Sequence, residues 1–195
     1  MIRIGILGDI GSGKSFVAKQ FGFPVFDADL EVSKIYRENK TCFVKLKKKL
    51  PIYIKSFPVK KTELSKAILS NNKSIKIIIN IVHPIVRKKM WKFIKKNSSK
   101  KAVVLDIPLL VENKLFKKKD VLIFVDAKKK DIELRLKKRF NYNKTIFTNL
   151  RKFQKPLSMK KKLSSYIIKN NFRFVNVRKK IKLIKSEILN DRNSS

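Results

Sequence analysis

Cysteine and histidine occur once each, as Cys42 and His83, which excludes an internal disulfide and any metal site built from cysteines or histidines. No apolar run approaches the ~18 residues that would suggest a membrane-spanning helix. Glycine is limited to 5 residues, and only 14 acids stand against 50 lysines and arginines, for a formal charge of +36. The start of the chain, Met1-Ile2-Arg3-Ile4-Gly5, enters a strand pattern directly, with no charged n-region, apolar segment and cleavage site in succession. The expectation is a cytoplasmic chain with no membrane partner. What is present is a substantial apolar fraction, 43% of 195 residues and 14 of them Phe, ample for one packed core plus a small insert.

The basic excess admits two readings. Lysine and arginine on a surface neutralise nucleic-acid phosphates and release counterions. Compositional drift toward AT-rich codons would also turn tolerant surface sites into lysine. Only nine of the 50 basic residues are Arg, and the lysines are spread along the chain. Arginine is the residue that reads phosphate and base bidentately, so drift is the preferred account. A nucleic-acid partner is not expected, and a monomer is. The charge still favours some polyanionic ligand.

Ile2 to Leu7 is a short apolar run closed by Gly8, the pattern of a buried strand. Helical spacing runs from Ser15 to Phe21, and Pro24-Val25-Phe26 makes a second strand ending at Asp27-Ala28-Asp29. Leu30 to Asn97 is helical in pattern, interrupted at Pro51 and Pro58, with Pro84 a break or kink in its longest stretch, Ile75 to Lys96. Strands return at Ala102–Asp106 and Val121–Asp126, each a continuous apolar run ending in an acid, as in parallel strands buried on both faces. Helices follow at Asp131–Arg139 and Thr145–Gln154, a last strand at Ser165–Ile168 and a closing helix at Val177–Leu189. This alternation predicts an α/β fold with a parallel five-stranded sheet flanked by helices. The predicted core covers 1–29 and 101–190, with a helical insert over 30–100 and a lid over about 139–160.

Gly8-Asp9-Ile10-Gly11-Ser12-Gly13-Lys14-Ser15 fits the phosphate-binding pattern G-x-x-x-x-G-K-S in full, between a buried strand and a helix. Its glycines let backbone N–H groups turn toward phosphate oxygens, aided by the helix N-terminus. Lys14 can reach the β and γ phosphates, and the Ser15 hydroxyl can ligate Mg²⁺. Asp27 and Asp29 stand where a parallel sheet binds ligands, at a strand's carboxyl end. There a carboxylate can accept a hydroxyl proton or hold Mg²⁺; alternatively one of the two caps the following helix. Asp106 closes a strand in the manner of a Walker B acid, or serves as a turn former. Arg135 and Arg139 share a helix face ahead of a lysine-rich segment that could close as a lid. Most of those lysines read as solvated, His83 as a structural residue or a substrate contact, and Trp91 and the phenylalanines as core.

Together these segments resemble the dephospho-coenzyme A kinase family of P-loop kinases. The blocks are Ile4 to Ser15, Val25-Phe26-Asp27-Ala28-Asp29, His83-Pro84 and Asp106-Ile107-Pro108-Leu109-Leu110-Val111-Glu112. Val125-Asp126, Arg135 and Arg139, Gln154-Lys155-Pro156-Leu157 and Tyr166 to Asn170 complete them. The resemblance implies transfer of the γ-phosphoryl of ATP, with Mg²⁺, to the ribose 3′-hydroxyl of dephospho-coenzyme A. It implies Asp29 as the base with Asp27 beside it, and Lys14 on the phosphates. Arg139 would be the lid arginine, Gly11, Ser12, Gly13, Ser15, Phe16 and Arg135 nucleotide contacts, and Ser15 and Asp106 the metal groups. The helical insert would bind the coenzyme A precursor. Another small-molecule or nucleotide kinase is the alternative, as is a basic nucleic-acid-binding protein with a vestigial phosphate loop. The chain departs from the family's usual Asp at Ser165 and Lys169, from its Gly at Phe172, and from a loop Gly at Asp9.

Overall fold

The structure, a computed structural model, describes residues 1–138 and 142–190. In chain order its elements are β1 (Ile2–Gly8), α1 (Lys14–Gln20), β2 (Val25–Asp27), α2 (Ala28–Glu38), α3 (Lys40–Lys49), α4 (Lys61–Ser70) and α5 (Asn72–Lys96). Then come β3 (Ala102–Asp106), β4 (Val121–Asp126), α6 (Lys129–Lys137), α7 (Lys144–Arg151), α8 (Leu157–Lys162), β5 (Tyr166–Lys169) and α9 (Phe174–Asn190). The chain divides into two compact units, one of Met1–Asp27, Asn97–Tyr142 and Phe153–Ser195, the other of Ala28–Lys96 and Asn143–Lys152.

The first unit is built on a parallel sheet in the order β2-β3-β1-β4-β5. Its register pairs Ile4 with Val104, Ile6 with Ile123, Phe26 with Leu105 and Phe124 with Ile167. Every residue of β1 and of β3 is buried, which is why both read as continuous β-branched and aliphatic runs. Val17 and Ala18 of α1, and Phe21 just after it, share one core cluster with Ile4, Ile6 and Val104 of the sheet. Val177, Ile181, Ile184 and Ile188 of α9 join it, a helical stripe. The chain runs from β1 out to β2, returns as β3 beside β1, then places β4 on β1's other side. That reversal puts the crevice for ligands at the carboxyl end of β1.

The second unit is helical. Ile75, Ile78, Val82, Val86 and Met90 form the buried face of α5. Pro84 lies inside this helix, which continues across it to Lys96 rather than ending there. Trp91, expected in the core, is 40% exposed. One position after the buried Met90, it is turned about 100° away from the apolar stripe. It lines an open groove of about 520 Å³ with Pro84, Arg87, Lys88, Lys92 and Lys95. Asn39 and Asn143 cap α3 and α7, each carboxamide oxygen accepting from a backbone N–H three residues on.

Most of the lysines around α8 are exposed, as expected, and one, Lys160, is buried. Lys160 is only 1% exposed and pairs through Nζ with Glu112 Oε1 at 2.8 Å, while donating to Gln154 Oε1 at 3.0 Å. The same Glu112 oxygen accepts from the Lys155 N–H at 2.8 Å. A charge this deep is tolerated only when paired and hydrogen-bonded.

Candidate active site

The loop between β1 and α1 is shaped by glycine where side chains would not fit. Gly13 caps α1 in a left-handed conformation, φ 94° and ψ 21°, which L side chains resist. A Cβ there would collide with Asn170 Nδ2 and touch the Phe172 ring. Gly11, at φ 85°, would meet Ile132 and Leu136 of α6 at 3.0–3.1 Å. The chain after β5 therefore closes on one side of the loop and α6 on the other. Asn170 fastens the first side: its Nδ2 donates to Ser12 O at 2.8 Å, and its backbone N–H donates to Asp126 O at 2.7 Å.

Within the loop, Lys14 Nζ donates to Asp9 O at 2.8 Å and to Gly8 O at 3.3 Å, lying back across the turn. Asp9 turns its carboxylate onto the loop itself, Oδ1 accepting from the Ile10 N–H at 2.7 Å. Ser12 is fully buried and its Oγ has no hydrogen-bond partner in the structure. Ser15 and Phe16 are exposed on the first turn of α1. The Phe16 ring meets the edge of Phe174, centroids 5.7 Å apart.

Asp27 and Asp106 are register partners, closing β2 and β3 side by side. Asp106 is buried, at 5% exposure. Two carboxylates at neighbouring strand ends beside a phosphate loop suit a divalent cation that takes one or two acids and shares the substrate's phosphate oxygens. Among the described residues no group of three or more His, Cys, Asp or Glu could hold a metal by itself. Ser15 and Asp106, the expected metal groups, offer oxygen ligands of the type such a cation takes. Asp29 lies two residues beyond Asp27, in the first turn of α2, where an acid complements the helix dipole. Since α2 begins at Ala28, Asp29 stands inside the helix and not before it.

The sheet unit thus gathers Gly11, Ser12, Gly13, Lys14, Ser15, Phe16, Asp27, Asp106 and Arg135, while Asp29 belongs to the helical unit. Arg139 lies outside the described residues. Arg135 sits on α6 with its guanidinium 4.4 Å from the centroid of the Phe172 ring. Asn170 and Phe172 are loop-shaping residues that motif spacing alone missed, although Asn170 ends one of the blocks shared with the family. Cys42 is no rival nucleophile: burial pushes its thiol up to about 11, so it stays protonated.

A parallel sheet in this strand order, with a phosphate loop joining its central strand to a helix, is the architecture of a P-loop kinase. Deoxyadenosine kinase from M. mycoides shares that fold, with TM-score 0.52 at 15% identity over 96% of this chain and 99% of its own. The sequence pattern of dephospho-CoA kinase matches residues 2–176. The dephospho-CoA kinase of Wolbachia sp. subsp. Brugia malayi (strain TRS) is 35% identical over 170 residues, 85% of this chain and 87% of its own length. The crystal structure of TT1252 from Thermus thermophilus superposes with TM-score 0.73 at 27% identity, covering 95% of this chain and 97% of its own. The chain belongs to the dephospho-CoA kinase family. Among the described residues no helix is long and apolar enough to cross a membrane.

Proposed function

We propose that this chain transfers the γ-phosphoryl group of ATP to the ribose 3′-hydroxyl of dephospho-coenzyme A, the last step of coenzyme A biosynthesis. Family membership over residues 2–176, which takes in the phosphate loop, both strand-end carboxylates and the chain after β5, carries this reading. Phosphoryl transfer asks a protein mainly for positioning and for charge placed where charge develops. The N–H groups of Gly11 to Ser15 cradle the donor phosphates, and Lys14 leaves the loop carbonyls to lie against the β and γ phosphates. Asp29 accepts the acceptor hydroxyl's proton, with Asp27 beside it in sequence. Arg135 and Phe16 contact the nucleotide, and Arg139 on the lid steadies the transferring group. Ser15 and Asp106 would hold Mg²⁺, which would supply positive charge to offset that of the phosphates. The helical segment 30–100 binds the coenzyme A precursor, and residues around 139–160 act as the lid.

The test is Lys14→Ala. Turnover is measured with ATP against dephospho-coenzyme A, adenosine and a short DNA offered separately. The wild type is expected to phosphorylate dephospho-coenzyme A selectively, and the variant to lose about 10²–10³-fold in kcat while remaining folded. Near-normal turnover by the variant, or DNA binding without any turnover by the wild type, would contradict the assignment.

A further inference from the structure

Phe172 is held at φ 61°, in the left-handed region. For a non-glycine residue this conformation carries strain, and such strain persists where the surroundings impose it, often at ligand sites. The surroundings here are specific. The Phe172 N–H donates to Asn170 Oδ1 at 2.9 Å, and the other end of that carboxamide is fastened to the phosphate loop at Ser12 O. The ring is thereby delivered beside Gly13, its edge 3.4 Å from where a Cβ would stand. On it lies the Arg135 guanidinium, 4.4 Å from the ring centroid. Arg135 itself is exposed, and its helix is seated on the loop through Ile132 and Leu136 against Gly11. Among the described residues no carboxylate pairs with Arg135, so its charge is uncommitted while the ring sets its direction.

We infer that Phe172 is a positioning residue for Arg135, its ring holding the guanidinium at the rim of the phosphate loop to receive the donor nucleotide. The inference rests on the kinase reading above. An exposed arginine loses much rotamer freedom when a ligand fixes it, and stacking on an aromatic face removes that loss in advance. The effect falls on nucleotide affinity. It also explains why a bulky ring occupies a backbone position that suits glycine: local strain is exchanged for a directed cation.

The experiment uses the full chain and compares Phe172→Gly, Phe172→Leu, Phe172→Tyr and Arg135→Met with the wild type. Each is measured for ATP affinity by calorimetry, for kcat and for KM(ATP), and for thermal midpoint. Phe172→Gly and Phe172→Leu are expected to weaken ATP binding by about two- to tenfold, raising KM(ATP) more than they lower kcat. Phe172→Tyr should restore affinity. Phe172→Gly should leave the midpoint equal or higher, because glycine relieves the left-handed strain, whereas a ring serving only packing would lower it. Adding Phe172→Gly to Arg135→Met should produce little further loss. Wild-type affinity in both Phe172→Gly and Phe172→Leu, or fully additive losses in the double variant, would overturn the inference. A wild type that binds no ATP would instead overturn the kinase reading itself.

Discussion

The sheet unit and the helical unit carry the same lysine-rich composition to different effect. In β1 and β3 every residue is buried, and the one charged residue of β1, Arg3, is paired with Asp120 at 2.9 Å and with the Leu115 carbonyl. Three of the five glycines, Gly8, Gly11 and Gly13, fall in the phosphate loop, all at positive φ. In the helical unit, α3 reads Lys-Thr-Cys-Phe-Val-Lys-Leu-Lys-Lys-Lys, with only Cys42 and Leu46 buried. Lysine is accordingly absent where these strand side chains are enclosed and frequent where one helix face meets water. Lys160 is the exception, a lysine that the interior itself uses.

Asp29→Asn bears hardest on the contrast, because the proposed base stands at the start of the lysine-rich helical unit. Asparagine keeps the size and the helix start but cannot take the hydroxyl proton. Loss of a general base costs on the order of 10²–10⁴ in rate, so kcat should fall by that factor while ATP affinity and thermal midpoint stay near wild type. Asp27→Asn, measured alongside, should lose less. If Asp27→Asn proves the more damaging, the base lies in the sheet unit and the division of labour is reversed.

Lys160→Met comes next. Removing one partner of a buried pair leaves the other charge uncompensated, at a cost of about 3–5 kcal/mol. Chemical denaturation should report that loss, and the double variant Lys160→Met with Glu112→Leu should recover much of it, since two apolar groups leave no orphaned charge. A single variant as stable as the wild type would mean that Lys160 is solvated like its neighbours.

What the sequence made legible follows this same division. Strand positions could be read because burial on both faces produces unbroken apolar runs, and the phosphate loop because its glycines answer a backbone requirement. The boundary shifts at α1 and α6 are a residue or two, within the ordinary fraying of helix ends. Trp91 could not be placed from a helical stripe alone, since one residue's step around α5 separates core from water. Lys160 was hidden because its partner, Glu112, is 48 positions away and nothing in a lysine tract marks the one that turns inward. Phe172 stood out only as a departure from glycine; its meaning needed the positive φ and the Arg135 stack.

The smallest expected effect concerns a charge in each unit. Glu31 of α2 bridges Lys34 and Lys89, both at 2.8 Å. Burial works to raise its pKa, but hydrogen bonds and charge from the two lysines prevail and hold it below the ordinary 4.5. A lowered carboxylate contributes stability above its unfolded value and loses it as pH falls through the folded one. Glu31→Gln should thus cost about 0.5–1 kcal/mol at neutral pH and almost nothing well below pH 4.5. Asp120 in the sheet unit goes the other way: burial raises its pKa above 3.8 despite the Lys117 N–H and Arg3. The stability difference between wild type and Asp120→Asn should therefore shrink as pH rises through that range, while the Glu31 difference grows. Denaturation curves for both variants across that interval, repeated at high salt to screen the background positive field, read the two slopes directly. Parallel slopes would mean that the net charge of the chain, and not the local surroundings of each carboxylate, governs its titration.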